Sequence, residues 1–245
     1  MIPRVLVHDV DQASPQQVPL SSSQRHHLTR VLRLDDGAPV EAFDGRGRRW
    51  AATLGRSAQG AWLELKTEQA ATAESPLMIR LGQCLSSAEK MDWTIEKAVE
   101  LGAQAVSPLT SLRSQIRLDA ARAQRKLEHW RAIAEAACVQ SGRDWLPTID
   151  EPTALERWLS DVQEPIRLVL NPRADLSLSA WLRQPERPSG GICLLIGPES
   201  GLAEPELQAA LEAGFVGVRL GPRVLRTETA GLAAIAALQA LAGDF

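Results

Sequence analysis

The chain has 245 residues, with 44% hydrophobic and 23% charged residues and a net charge of −3. That balance excludes an intrinsically disordered chain and a uniformly basic nucleic-acid coat, and no apolar run reaches the roughly 18–20 residues that span a bilayer. Arginine is nonetheless clustered at Arg25, Arg30, Arg33, Arg46, Arg48, Arg49 and Arg56, and again at Arg113, Arg117, Arg122 and Arg125 beside Lys126. Local attraction to phosphate therefore stays open. Cys84, Cys138 and Cys193 are far apart and odd in number, which suggests neither a disulfide framework nor a zinc site. The opening run Ile2-Pro3-Arg4-Val5-Leu6-Val7 is too soon interrupted to read as a secretory signal. A cytoplasmic setting is expected.

In chain order, residues 5–7, 39–43, 48–54 and 61–66 are predicted strands of a small β-barrel. Asp35-Asp36-Gly37 and Asp44-Gly45-Arg46-Gly47 supply the positive-φ positions its turns need. A helix over about 23–33, capped by Ser22 or Ser23, sits inside this set. Residues 67–76, rich in Ala, Thr, Glu and Ser, read as a linker, and a domain boundary is placed between residues 72 and 73.

From residue 77 strands and helices alternate, which predicts an α/β sheet. Strands are expected at 77–85, 105–109, 166–170, 192–196 and 215–220, and helices at 87–101, 118–139, 203–213 and 228–241. Leu127, Trp130, Ala134, Ala137 and Cys138 fall at helical spacing within the second helix. Trp93, Trp130 and Trp145 are read as core or dimer contacts rather than stacking platforms.

Two apolar runs then stop abruptly at Gly-Pro turns: Leu194-Leu195-Ile196-Gly197-Pro198-Glu199-Ser200-Gly201 and Leu220-Gly221-Pro222-Arg223-Val224-Leu225-Arg226-Thr227-Glu228-Thr229-Ala230. Glycine permits close backbone approach to a ligand, and a strand–turn–helix junction is a common ligand site in open α/β sheets. No G-x-G-x-x-G or G-x-x-x-x-G-K occurs, so a dinucleotide or triphosphate site has little support.

With these two turns, the chain resembles the RsmE-type ribosomal RNA uridine methyltransferases of the SPOUT class. The likeness extends through His26-His27-Leu28-Thr29-Arg30-Val31-Leu32-Arg33, Phe43-Asp44-Gly45, residues 90–93, Lys97-Ala98-Val99-Glu100-Leu101-Gly102, residues 108–114, Ala134-Glu135-Ala136 and Gln140-Ser141-Gly142-Arg143. Ser200 departs from the family's glycine pair.

The resemblance implies an S-adenosylmethionine-dependent enzyme that methylates uridine N3 in small-subunit (16S) rRNA, on the assembled 30S subunit. It implies a parallel sheet with a C-terminal trefoil knot over residues 73–245, a PUA-like barrel over 1–72 that helps to hold RNA, and a homodimer. No membrane or metal is expected to take part. Leu170, Ile196, Gly197, Pro198, Gly201, Leu220, Gly221, Leu225 and Thr227 are the implied cofactor positions.

The chemistry bears on the remaining residues. Uracil N3 carries a proton at neutral pH and must lose it before or while it attacks the sulfonium methyl. Negative charge then develops on the ring oxygens, where a fixed cation lowers the barrier. Arg226 is the candidate cation, with Glu199 or Glu228 as a carboxylate that orients it or assists proton removal. A pairing of Arg226 with Glu228, or a capping role for both, is the structural alternative. His26, Arg30 and Arg33, at i, i+4 and i+7 of the predicted helix, could meet phosphates, as could Arg113 and Arg117. Two other readings stay open: a non-catalytic RNA-binding or ribosome-assembly factor, and a metabolic enzyme with a nucleotide cofactor.

Overall fold

The structure, a computed structural model, describes residues 2–8, 10, 17–58, 60–72, 74–184 and 189–245. Ala73, at the expected domain boundary, lies outside the described residues. Two compact units are present: Met1–Glu74 with Cys138–Leu146, and Ser75–Ala137 with Pro147–Phe245.

The first unit contains β1 (Arg4–Leu6), β2 (Gln17–Pro19), α1 (Ser22–His26), β3 (Pro39–Phe43), β4 (Arg49–Arg56) and β5 (Ala61–Gln69). They form a five-stranded sheet in the order β1-β3-β4-β5-β2. Only the β1–β3 pairing is parallel. Alternation along β4 sends Trp50, Ala52 and Leu54 inward, and Leu63 and Leu65 of β5 do the same, joining Val5, Val40 and Leu28 in one core. Gly37, Gly45 and Gly47 take φ of 78°, 70° and 92°, so the turn glycines act as their sequence setting predicts.

The expected helix over 23–33 needs correction. A capping box between Ser21 and Gln24 starts α1 one residue early. After His26 the chain widens into a π-helical turn over His27–Val31, closed by the Leu32 amide donating to the His27 carbonyl at 2.9 Å. Arg33 leaves the helix altogether, at φ 54°. His26, Arg30 and Arg33 are exposed but do not line one α-helical face.

The second unit holds β6 (Ile79–Cys84), α2 (Ala88–Glu100), β7 (Ala105–Thr110), α3 (Ala120–Ser141), β8 (Thr148–Ile149), β9 (Thr153–Ala154), α4 (Leu155–Asp161), β10 (Ile166–Leu170), α5 (Leu178–Leu182), β11 (Ile192–Ile196), α6 (Glu204–Glu212), β12 (Val216–Val218) and α7 (Thr227–Ala242). The residues of α3 from Cys138 on belong to the first unit. The strand order is β12-β10-β11-β6-β7-β8, with β9 also on β7, and every pairing is parallel.

A parallel sheet covered on both faces explains the near-continuous apolar runs of β10 and β11. On one face, Cys84, Leu109, Val169, Cys193 and Leu195 meet Trp158 of α4, Ala210 of α6 and Phe215. On the other, α7 packs on α2 and on β6 and β11. Gly231 makes that approach possible, since a Cβ there would already touch Leu81 at 3.2 Å and Ile196 at 3.3 Å. The strand order matters for the site because it brings the ends of β10, β11 and β12 together.

Candidate functional site

Leu170, Ile196 and Val218 are the last residues of β10, β11 and β12, and all three line a cleft of about 1030 Å³. This is the carboxyl end of the parallel strands, where open α/β sheets bind ligands. The turns after β11 and β12 supply much of the wall, Gly197 to Leu202 from the first and residues between Arg219 and Thr227 from the second, and Lys90, Arg113 and the loop after β10 add to it. All nine positions expected to touch cofactor line this cleft: Leu170, Ile196, Gly197, Pro198, Gly201, Leu220, Gly221, Leu225 and Thr227.

The first turn is closed by the Gly201 amide donating to the Pro198 carbonyl at 2.8 Å, with Gly201 at φ 71°. Gly197 has no room for a side chain: a Cβ would lie 2.9 Å from the Leu202 amide nitrogen. Ser200 fits the turn by donating its hydroxyl to the Arg113 carbonyl at 3.3 Å. The second turn is strapped to the loop after β10. The Asn171 amide donates to Val218, Arg219 to Leu176 and Leu178 to Arg219, and the Arg219 guanidinium caps the Ala174 and Asp175 carbonyls.

A buried polar relay links the two turns. Gln83, wholly buried on β6, donates its amide to the Thr227 hydroxyl at 2.9 Å, which donates to the Gly197 carbonyl at 2.6 Å. Thr227 thus lines the cleft with its hydroxyl proton already committed. Gln83 was not among the residues singled out from the sequence, although a glutamine in a buried strand must find partners, and that requirement is its signal.

Lys90 was missed in the same way. Its ammonium stands 3.2 Å from Glu199 Oε1 and 3.6 Å from Glu228 Oε2, so one cation from α2 faces carboxylates from both turns. Burial opposes ionisation of Glu199, but hydrogen bonds from its own backbone and from Lys90, with the Lys90 charge, outweigh it and hold its carboxyl below the usual range. Stability from this contact is present above the ordinary glutamate value and is lost as pH falls through the lowered one. Lys90→Met should therefore raise the Glu199 titration midpoint towards normal in a carbon-detected NMR titration. An unmoved midpoint would contradict the pairing.

Arg226 makes no ion pair with Glu199 or Glu228, so neither carboxylate orients it. Its backbone begins α7, with the Ala230 amide on its carbonyl at 2.8 Å, while its exposed guanidinium has no hydrogen-bond or ion-pair partner among the described residues. Glu228 is only 12% exposed, and its Oε2 is buried without a hydrogen bond. That oxygen is met by the Lys90 charge alone, and Glu228 is not part of the cleft wall.

Arg113 lines the cleft, but its guanidinium is engaged with the Ser200 and Leu202 carbonyls at 3.2 and 3.3 Å. Arg117 reaches back to the Leu112 carbonyl at 3.5 Å and is not part of the cleft wall. His26, Arg30 and Arg33 stand on the first unit. Burial pushes the Cys84 thiol up to about 12, which leaves it an inert core group. Trp130 is core at 2% exposure, whereas Trp93 and Trp145 are 43% and 47% exposed, so the core reading fails for those two. Among the described residues no cluster of His, Cys, Asp and Glu is arranged to hold a metal ion, and no helix is long and apolar enough to cross a membrane.

Residues 73–239 match the family model of an RNA methyltransferase domain, and residues 20–64 that of an RNA methyltransferase PUA domain. The chain is 34% identical over 246 residues to the ribosomal RNA small subunit methyltransferase E of Buchnera aphidicola from Acyrthosiphon pisum, covering 100% of this chain and 95% of the relative. The protein of the same name from Synechocystis is 36% identical over 96% of this chain and 77% of its own length. Among solved structures, the Neisseria gonorrhoeae ribosomal RNA small subunit methyltransferase E bound to S-adenosylmethionine superimposes with a TM-score of 0.89 at 36% identity, covering 100% of both chains. A Legionella pneumophila chain in complex with the same cofactor gives 0.90 at 31%, again over 100% of both.

Proposed function

The chain belongs to the RNA methyltransferase family that includes the ribosomal RNA small subunit methyltransferases E, and we propose that it methylates N3 of a uridine in 16S rRNA with S-adenosylmethionine as donor. The observation that carries this reading is the cleft at the ends of β10, β11 and β12, with a free guanidinium at its rim. The residues present suit the donor. Leu170, Ile196 and Leu225 offer apolar surface to an adenine and a thioether chain, while the Gly197–Leu202 and Leu220–Leu225 turns offer backbone groups for the polar ends. Bound there, S-adenosylmethionine supplies an electrophilic methyl group.

The chain's own residues do the rest. The cleft walls fix the direction from which a base approaches, and orientation of that kind contributes several kcal/mol. Arg226 points its charge at the uracil oxygens that become negative as N3 loses its proton. Glu199 and Glu228 together fix Lys90 between the turns; of the two, Glu199 lines the cleft and is the carboxylate assigned to assist removal of that proton, whereas Glu228 Oε2 is buried and outside the cleft wall. The chain emerging from β12, strapped against the loop after β10, is taken as the threaded segment of a SPOUT-type trefoil knot. A homodimer acting in the cytoplasm on the assembled 30S subunit completes the reading.

Methylation of small subunits from a strain lacking the modification, with mass mapping of the nucleoside, tests it. N3-methyluridine at one 16S position is expected; no methyl transfer, or a methyl on another atom, overturns it. The exposed arginines of the first unit are assigned to RNA phosphates. Arg30→Ala with Arg33→Ala should flatten the slope of log affinity against log salt by about 1.4, at about 0.7 per lost contact with single-stranded RNA. An unchanged slope removes them from the RNA surface.

A further inference from the structure

Trp145 and Arg46 form a second constellation, within the N-terminal unit. They stand directly opposite each other in a short antiparallel bridge, held by the Gly47 amide on the Asp144 carbonyl at 3.0 Å and the Leu146 amide on Gly45 at 2.9 Å. Residues opposed in this way project side chains on the same face.

The flanks are anchored. Asp144 is fully buried and accepts hydrogen bonds from Arg4 at 2.6 Å and the Thr72 amide at 2.7 Å. Leu146 fills the space beside Gly45, where a Cβ would lie 2.7 Å from it. The indole itself takes the volume that a side chain at Gly47 would need, 2.3 Å from a Cβ built there. One side of the ring is therefore seated on backbone, yet about half its surface meets solvent.

The neighbouring cations differ. Arg48 pairs with Glu68 and lies over Trp50, and Arg49 is engaged with Thr72 and Asp144. The exposed Arg46 guanidinium has no hydrogen-bond or ion-pair partner among the described residues. A pre-placed aromatic surface beside a free cation suits a single nucleic-acid strand: the ring stacks on a base and the guanidinium meets a phosphate. A duplex keeps its base faces covered and offers the ring nothing.

We propose that Trp145 is a stacking platform for an unpaired base of the RNA substrate, with Arg46 on a neighbouring phosphate; this rests on the RNA-methyltransferase reading above. Because the ring is already held, little ordering opposes binding. The test uses the full chain and a labelled single-stranded decauridylate, followed by fluorescence anisotropy. Trp145→Ala should weaken binding about tenfold, Trp145→Phe should keep most of it, and Arg46→Ala should lower the salt slope by about 0.7. S-adenosylmethionine affinity should stay at the wild-type level in all three. Wild-type binding of the decamer by Trp145→Ala, or no binding of it by the wild-type chain, overturns the platform. So does a changed sedimentation mass in Trp145→Ala, which would place the ring in a contact between copies of this chain. Failure of the wild-type chain to methylate ribosomal RNA would instead overturn the underlying reading.

Discussion

Arg226→Ala is expected to lower turnover roughly 100- to 1000-fold while leaving S-adenosylmethionine affinity and the thermal midpoint close to wild type. The separation follows from geometry. The residue's structural work is done by its backbone, which begins α7, and alanine preserves that. Its side chain is exposed at the rim of the cleft and supports no other described residue. What alanine removes is a charge that matters only when negative charge develops on the base. Arg226→Lys should recover part of the loss, since an ammonium keeps the charge but not the planar fork. Single-turnover methylation beside calorimetric cofactor binding checks both; turnover retained in the alanine variant would remove Arg226 from the chemistry.

Gly197→Ala is expected to cost about 100-fold in S-adenosylmethionine affinity, because a turn displaced by a fraction of an ångström misplaces everything it presents. The added methyl would stand 2.9 Å from the Leu202 amide nitrogen and 3.3 Å from the Gly201 carbonyl carbon, both backbone atoms that cannot swing aside. The Gly197 carbonyl also receives the Thr227 hydroxyl, so displacement on one turn is passed to the other through the relay from Gln83. Gly201→Ala is the contrast: nothing lies within 4 Å of the new atom, and only the left-handed backbone, at about 1 kcal/mol, opposes it. Calorimetry on the two variants separates them; wild-type affinity in Gly197→Ala would show that the turn does not hold the donor.

The long elements were legible because their patterns are local. β11 is an unbroken apolar run that stops at Gly197, and the chain leaving β12 turns at Gly221. The nine positions expected to touch a cofactor, all of which line the cleft, could be read from those turns together with the family likeness. What escaped depends on distant partners. β2, β8, β9, α4 and α5 are too short to show a period, and they form because the sheet or the core beneath them is already in place, as Trp158 of α4 lies over Gly82 of β6. The π-helical turn shifts Arg30 and Arg33 off the face that an α-helical count assigns them. Lys90 and Gln83 lie far along the chain from the carboxylates and the hydroxyl they hold, so spacing alone could not join them. Arg226 lines the cleft, but the carboxylates expected to orient it face Lys90 instead.

A crystal of this chain grown with S-adenosylmethionine decides most directly whether the paired turns grip the methyl donor. Density for the donor is expected between the 197–202 turn and the 219–227 segment, its methyl facing the opening beside Arg226. A donor seated anywhere else, or absent from a crystal saturated with it, would contradict the assignment.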